Sequence, residues 1–286
     1  MHQYGKGTHM LRIGWFATGR GEGSQKLLRA TVDAIRERTL DAQISFVFCN
    51  REPGQDSTTD VFLDQVRAYG IPLVTLSDRR FRTEHGGEVA RSGAPLPEWR
   101  RAYDAAAVEL LRSFDCDLGM LAGYYLITTD PLFEWRPLLN LHPAAPGQPA
   151  GTWQEVTWQL MEQRADHGGV RIHVVTGELD AGAIATYCTY PLRGGEIGAL
   201  WKDVESRGVA RVREEDGEQN GLFREMRRRG SARELPLIVE TLRAFADGRL
   251  ALVEGQVMTG DTKVVGGYDL TPEIEAALAR PVGADR

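Results

Sequence analysis

Leu11-Arg12-Ile13-Gly14-Trp15-Phe16-Ala17 runs directly into Thr18-Gly19-Arg20-Gly21-Glu22-Gly23-Ser24, and then into a segment that carries Leu27, Leu28, Val32 and Ile35. The first seven residues are a short apolar run, the next seven a glycine-rich turn, and the last four apolar residues recur at helical spacing. This strand–turn–helix unit is repeated. Residues 44–49 are rich in β-branched and aromatic residues, Asn50-Arg51-Glu52-Pro53-Gly54 breaks the run, residues 61–69 have helical character closed by Gly70, and residues 72–76 form a third strand. Residues 118–122 are almost wholly apolar, as strands buried on both faces of a parallel sheet tend to be. Strands alternating with helices predict an open, mostly parallel twisted sheet flanked by helices, with the loops after the strands gathered on one ligand-binding edge.

The remaining elements follow from this frame. A helix is expected over 98–114, with Tyr103, Ala107, Leu110 and Leu111 on one face, preceded by a charged exposed loop at 78–100. Strands are expected at 138–143, 170–176 and 183–190. Between them lie an irregular proline- and glycine-rich segment at 144–152, a helix at 153–162 and a turn at 178–182. After Arg193 the chain becomes polar and charged. Leu235, Ile238, Val239, Leu242 and Phe245 then predict an amphipathic helix, two strand-like pieces follow near 249–258 and 263–268, and Thr271 with Pro272 opens a last helix as cap and first residue. The expected division is a catalytic domain over 10–192 and an appended α+β C-terminal region over 193–286. Residues 1–9 read as an extension ahead of Met10.

Composition narrows the function. The net charge is −6 and the sequence pI about 5.6, so no general affinity for nucleic acid is expected. No apolar run has the length of a membrane helix and the start carries no signal-like stretch, which points to a cytoplasmic protein. Cys49, Cys116 and Cys188 are far apart and odd in number, so free buried thiols are expected; no zinc-ligand spacing is present and no metal is expected. The glycine-rich turn lacks the Lys-Ser/Thr of a P-loop, and it does not fit a dinucleotide fingerprint cleanly.

Two segments carry the chemistry. In Leu139-Asn140-Leu141-His142-Pro143, Asn140 and His142 are two apart at a strand end, so an amide and an imidazole share one direction. In the segment from His173 to Gly182, Asp180 sits at a turn and follows His142 by 38 residues (180 − 142). A carboxylate near an imidazole favours its charged form. Asn-x-His-Pro followed by Glu-Leu-Asp-x-Gly, with the glycine-rich first turn, Leu121-Ala122-Gly123-Tyr124 and Gly151, resembles the formyltransferase family that includes glycinamide ribonucleotide transformylase.

The resemblance implies a formyltransferase-like Rossmann variant that moves a formyl group from formyl-tetrahydrofolate, as co-substrate, to a primary amine without a metal. The first acceptor it implies is glycinamide ribonucleotide, in purine biosynthesis. Asn140 would then hydrogen-bond the developing oxyanion, a donor worth about 3–4 kcal/mol. His142 would help the same oxyanion or accept a proton from the attacking amine, and Asp180 would orient and charge His142 and relay protons through water. Tyr124, Tyr125, Leu126, Ile127 and Thr128 would wall the pterin pocket, and Gly177 and Glu178 would close it. Gly19, Arg20, Gly21, Gly23 and Ser24 would hold the acceptor's phosphate, with His173 in support. The partners implied are a small amine, phosphorylated in the leading case, and a second copy of the chain. Departures are Arg20 and Glu22 in the first turn, Leu126 where the family has an arginine, and Trp153 where it has a histidine. The alternatives left open are another amine acceptor, a folate- or nucleotide-binding module without turnover, and a nicotinamide-dependent oxidoreductase.

Overall fold

A computed structural model describes residues 10–89 and 95–279; the expected extension at 1–9 and the middle of the 78–100 segment lie outside the described residues. The chain forms two compact units, one of residues 1–140, 174–183 and 242–263, the other of residues 141–173, 184–241 and 264–286.

In the first unit, β1 (Leu11–Ala17) pairs in parallel with β2 (Ala42–Cys49) on one side and β4 (Leu118–Leu121) on the other. β3 (Leu73–Thr75) extends the sheet beyond β2, and β5 (Leu138–His142) pairs beyond β4 through Leu138, Leu139 and Asn140. The order β3-β2-β1-β4-β5 is all parallel. It is the open sheet that the apolar runs predict, and its crossovers are helical. α1 (Glu22–Arg36) follows β1 and α2 (Ser57–Ala68) follows β2; α2 is capped by Asp56, whose carboxylate accepts from Thr58 N and Thr59 N. Between β3 and β4 lie α3 (Asp78–Glu84) and α4 (Glu98–Leu111), and α5 (Asp130–Trp135) precedes β5.

The core between sheet and helices is aromatic. Phe16 meets Phe46 edge-on at 5.7 Å and Tyr124 at 6.0 Å, and Tyr103, Ala107 and Leu111 of α4 pack into the same cluster. Arg12 on β1 donates through Nε and Nη2 to Asp117, at 3.0 and 2.6 Å, tying β1 to the start of β4. This unit also holds a small antiparallel sheet of β8 (Ala251–Val253), β9 (Gln256–Thr259) and β10 (Thr262–Lys263). Glu254 and Gly255, both at positive φ, make the two-residue hairpin between β8 and β9.

In the second unit, β6 (His167–Val174) and β7 (Ile184–Pro191) are antiparallel, and β11 (Tyr268–Asp269) lies parallel to β7. α6 (Trp153–Glu162) starts with a complete capping box between Thr152 and Glu155. Trp158 stacks obliquely on Phe223 at 4.6 Å. The charged stretch after Arg193 is helical: α7 (Gly195–Arg207), α8 (Val209–Glu215) and α9 (Gly221–Ala246). Few of their residues are buried apolar ones before the second half of α9: Ile197, Trp201 and Val204 in α7, Val212 in α8, and Leu222, Phe223 and Met226 at the start of α9. Many of the other positions form ion pairs such as Arg207–Asp216 and Arg228–Glu225, which is why the composition reads as polar. α9 runs through Pro236, so the helix expected from 235 onward begins fourteen residues earlier, at Gly221. α10 (Thr271–Ala279) is capped by Asp269, which accepts from Thr271 N; the Thr271 hydroxyl accepts instead from Thr189 N.

The 78–100 segment departs from the expected loop, because Ser77 caps α3 by accepting from Arg80 N. α5 is six residues long with a proline in its first turn, too short to show a helical period. The three cysteines are free and buried, and burial pushes their thiols up to about 11 for Cys49 and Cys116 and about 12 for Cys188. Among the described residues no helix is long and apolar enough to cross a membrane.

Two measurements test this packing. A Cβ at Gly119 would lie 2.4 Å from Leu138 Cδ2 and 2.9 Å from Phe16 Cε2, so Gly119→Ala is expected to cost about 1–3 kcal/mol, read as a lower denaturant midpoint at unchanged slope. Hydrogen bonds from Arg228 and Arg229 lower Glu225 from an ordinary 4.5 to about 2. A lowered carboxylate stabilises above its unfolded value and loses that contribution as the pH falls through the folded one. Glu225→Gln is therefore expected to flatten the fall in stability between pH 4.5 and 2, measured by thermal melts across that range.

Candidate active site

The glycine-rich turn leaves β1 at Thr18. Gly19 has φ +70, and a Cβ there would meet the Phe62 ring at 3.0 Å, so this position demands glycine. Gly21 caps α1 in extended conformation without a side-chain cap, and a Cβ at Gly21 or Gly23 would meet nothing within 4 Å. The start of α1 thus has no side-chain cap, and free first-turn amides of a helix are the groups an anion favours. Glu22 accepts from Lys26 Nζ at 2.8 Å one turn along the helix, and this bond holds its carboxyl below the usual range. Its charge is offset by Lys26. Arg20 is exposed, its guanidinium 5.6 Å from the Tyr125 ring centroid, and among the described residues it has no carboxylate partner within ion-pair distance.

The segment after β4 stands beside this turn in the same unit. Thr18 N donates to Gly123 O at 3.0 Å, and Tyr125 N donates to Thr18 Oγ1 at 3.0 Å. The five residues expected to wall a pocket divide. Tyr124 points into the core against Phe16 and Phe48, its hydroxyl buried and its acidity pushed well down by desolvation. Leu126 packs against the same cluster and Thr128 is buried, whereas Tyr125 (63% exposed) and Ile127 (44% exposed) turn outward.

Asn140 pairs with Leu121 near the end of β5. The loop that holds Asp180 is closed at its neck by Val174 N donating to Ala183 O at 2.8 Å, and Val175 N donates to Leu138 O at 2.8 Å. A Cβ at Gly182 would lie 1.7 Å from Val174 O, so the neck requires glycine. Within the loop Thr176 Oγ1 donates to Glu178 O, Asp180 has φ +55, and Leu179 is exposed. Gly177 lies near Phe133, where a Cβ would be at 3.8 Å.

In the second unit His142 and His173 are brought together. Both are buried, with ring centroids 6.2 Å apart and planes at 74°. His173 follows a register shift in the β6–β7 ladder, where Ile172 pairs with Thr186 and His173 with Ile184. The loop after His142 is a built structure: buried Arg171 donates through Nη1 to Ala145 O at 3.0 Å, Ala145 N donates to Gln148 Oε1, and Gln148 Nε2 donates to His167 O. Trp153 packs against the Phe223 ring, tilted at 5.8 Å, and lies under the Arg227 guanidinium at 4.9 Å.

Four polar residues that sequence reasoning did not single out shape these loops: Thr18, Arg100, Asp104 and Arg171. Asp104 left a trace, since an acid one residue after Tyr103 and three before Ala107 falls on the apolar face of α4. Arg171 left none, being a lone charge in an alternating strand.

These loops invite comparison with known proteins. The chain matches the formyl transferase family over residues 14–192. It is 25% identical over 237 residues to phosphoribosylglycinamide formyltransferase of Escherichia coli (strain K12), covering 82% of this chain and 87% of that one. It is 26% identical over 178 residues to the trifunctional purine biosynthetic protein adenosine-3 of Bos taurus, covering 62% of this chain but 15% of the relative. Its fold is similar to that of glycinamide ribonucleotide transformylase 1 from Symbiobacterium toebii, with TM-score 0.61 and 25% identity over 90% of this chain and 96% of that one. The chain belongs to the formyl transferase family.

Thr18→Val keeps the side-chain shape and removes the acceptor for Tyr125 N. It is expected to cost about 1 kcal/mol and to raise hydrogen exchange at the Tyr125 amide selectively.

Proposed function

We propose that this formyl transferase moves a formyl group from formyl-tetrahydrofolate to a primary amine, with glycinamide ribonucleotide as the leading acceptor. The observation that carries the reading is the strand end of β5, where Asn140 and His142 stand two residues apart inside the span that matches the family. Relatives named phosphoribosylglycinamide formyltransferase support the choice of acceptor.

In the proposed reaction the amine nitrogen attacks the formyl carbon, a tetrahedral intermediate forms, and the bond to the folate nitrogen breaks as that nitrogen takes up a proton. Asn140 Nδ2 donates to the oxyanion, which is where a fixed donor separates transition state from ground state. His142 takes the proton that the amine sheds, and Asp180 favours the charged imidazolium. His173 is proposed as a supporting residue. The folate is proposed to lie against the 124–128 segment and the Gly177–Glu178 turn, to which Tyr125, Ile127 and Leu179 offer exposed apolar surface. Tyr124 and Leu126, turned into the core, contribute backbone only. The acceptor's phosphate is proposed to sit on the Gly19–Ser24 turn with Arg20 as its charged partner, and the Glu22–Lys26 bond supports this by offsetting the one acidic group of the turn.

The test is a folate absorbance assay with glycinamide ribonucleotide and a panel of other primary amines. Asn140→Ala and Asp180→Asn are each expected to lose at least about a hundredfold in kcat with the fold intact by circular dichroism. Arg20→Gln is expected to raise the acceptor KM about tenfold at unchanged kcat. Near-normal turnover in Asn140→Ala removes the oxyanion role, and turnover with an uncharged amine in preference to the ribonucleotide moves the acceptor.

A further inference from the structure

The segment between β4 and α5 is bound to α4 by a buried ionic centre. Asp104 is wholly buried and Arg100 nearly so, one turn apart on α4, with Arg100 Nη2 3.3 Å from Asp104 Oδ1. The other carboxylate oxygen accepts twice from one residue of the segment, from Thr129 N at 2.6 Å and from Thr129 Oγ1 at 2.8 Å. Arg100 Nη2 donates to Ile127 O at 2.8 Å. With the two Thr18 bonds at Gly123 and Tyr125, the backbone of the segment is fastened at residues 123, 125, 127 and 129, and at two of those points the side chains of Tyr125 and Ile127 face solvent.

The pair is built for shape more than for strength. Arg100 Nη1 is buried without a hydrogen-bond partner among the described residues, and so is the Tyr124 hydroxyl. The guanidinium lies 5.1 Å from the ring centroids of both Trp99 and Tyr103, which keep its plane fixed while offering few acceptors. A pair of charges removed from water with one donor unused is poor stabilisation compared with apolar packing, and its distinguishing effect is to fix one geometry. Here the geometry fixed is that of two backbone positions in the segment that presents Tyr125 and Ile127.

We infer that Asp104, through Thr129 and with Arg100, is a positioning residue that sets the binding surface of the 123–129 segment for the formyl donor. The inference rests on the proposed reading of that segment as the folate wall. Asp104 touches no reacting atom. Its part is to hold the Ile127 carbonyl and the Thr129 amide in place before the donor arrives, so that the ordering cost is met in folding and not in binding.

The experiment uses the full chain and 10-formyl-5,8-dideazafolate as the donor probe, with donor and acceptor KM, kcat and amide hydrogen exchange measured for wild type, Asp104→Asn, Thr129→Val and Thr129→Ser. The expected result is a donor KM raised about tenfold in Asp104→Asn and about fivefold in Thr129→Val, an acceptor KM within twofold of wild type, faster exchange over 125–129, and recovery in Thr129→Ser, which keeps the hydroxyl. A donor KM within twofold of wild type in Thr129→Val, or an equal rise in both KM values, overturns the positioning role while leaving the folate reading standing. Absence of donor binding by the wild type overturns the folate reading and the inference with it. Should Asp104→Asn not fold, the Thr129→Val and Thr129→Ser pair decides alone.

Discussion

Thr18 is the point on which the ligand-facing edge of the first unit depends. Its N–H donates to Gly123 O, its hydroxyl oxygen accepts from Tyr125 N, and its carbonyl accepts from Cys49 Sγ at 3.7 Å and Thr59 Oγ1 at 3.4 Å. One buried residue at the end of β1 thus ties together the glycine-rich turn, the end of β2, the start of α2 and the segment after β4. A parallel sheet gathers the loops that follow its strands on one edge but does not by itself fix their shapes. In this chain a few buried polar side chains do that: Thr18 and the Arg100–Asp104 pair in the first unit, and Arg171 in the second. Each satisfies backbone groups that irregular loops would otherwise leave without partners.

Such an edge suits a two-substrate transfer. The turn proposed to hold an anion is hydrogen-bonded, through Thr18, to the segment proposed to meet the folate, on which Tyr125 and Ile127 are exposed. The bonds that fasten them run to Thr18 at the end of β1 and to the α4 helix. The functional groups proposed for the chemistry are mounted in the same way. Asn140 is part of a strand, His142 and His173 are buried with crossed rings, and Asp180 sits on a loop whose neck admits only glycine at residue 182.

The sheet was legible because β1, β2 and β4 are largely apolar runs, and because Gly70 marks the end of α2. The functional motif was legible because Asn140 and His142 share a strand end. Other parts were hidden for definite reasons. α7, α8 and the first half of α9 expose so many paired charges that Ile197, Trp201 and Val204 lose their periodic outline. α3 and α5 are shorter than two and a half turns, below the length at which a period can be read. The direction in which Tyr124 and Tyr125 point depends on the Thr18 bonds, and the bearing of Asp104 on Thr129 spans 25 residues of chain; neither is a local property of sequence.

The most direct measurement of the central claim follows the transferred carbon itself. Formyl-tetrahydrofolate carrying carbon-13 in the formyl group is incubated with the protein and glycinamide ribonucleotide, and the label is observed by NMR. The account predicts that the formyl resonance moves from the folate nitrogen to the acceptor's amine nitrogen in step with tetrahydrofolate release. Label appearing as free formate with no formylated amine would contradict it, as would label that stays on the folate.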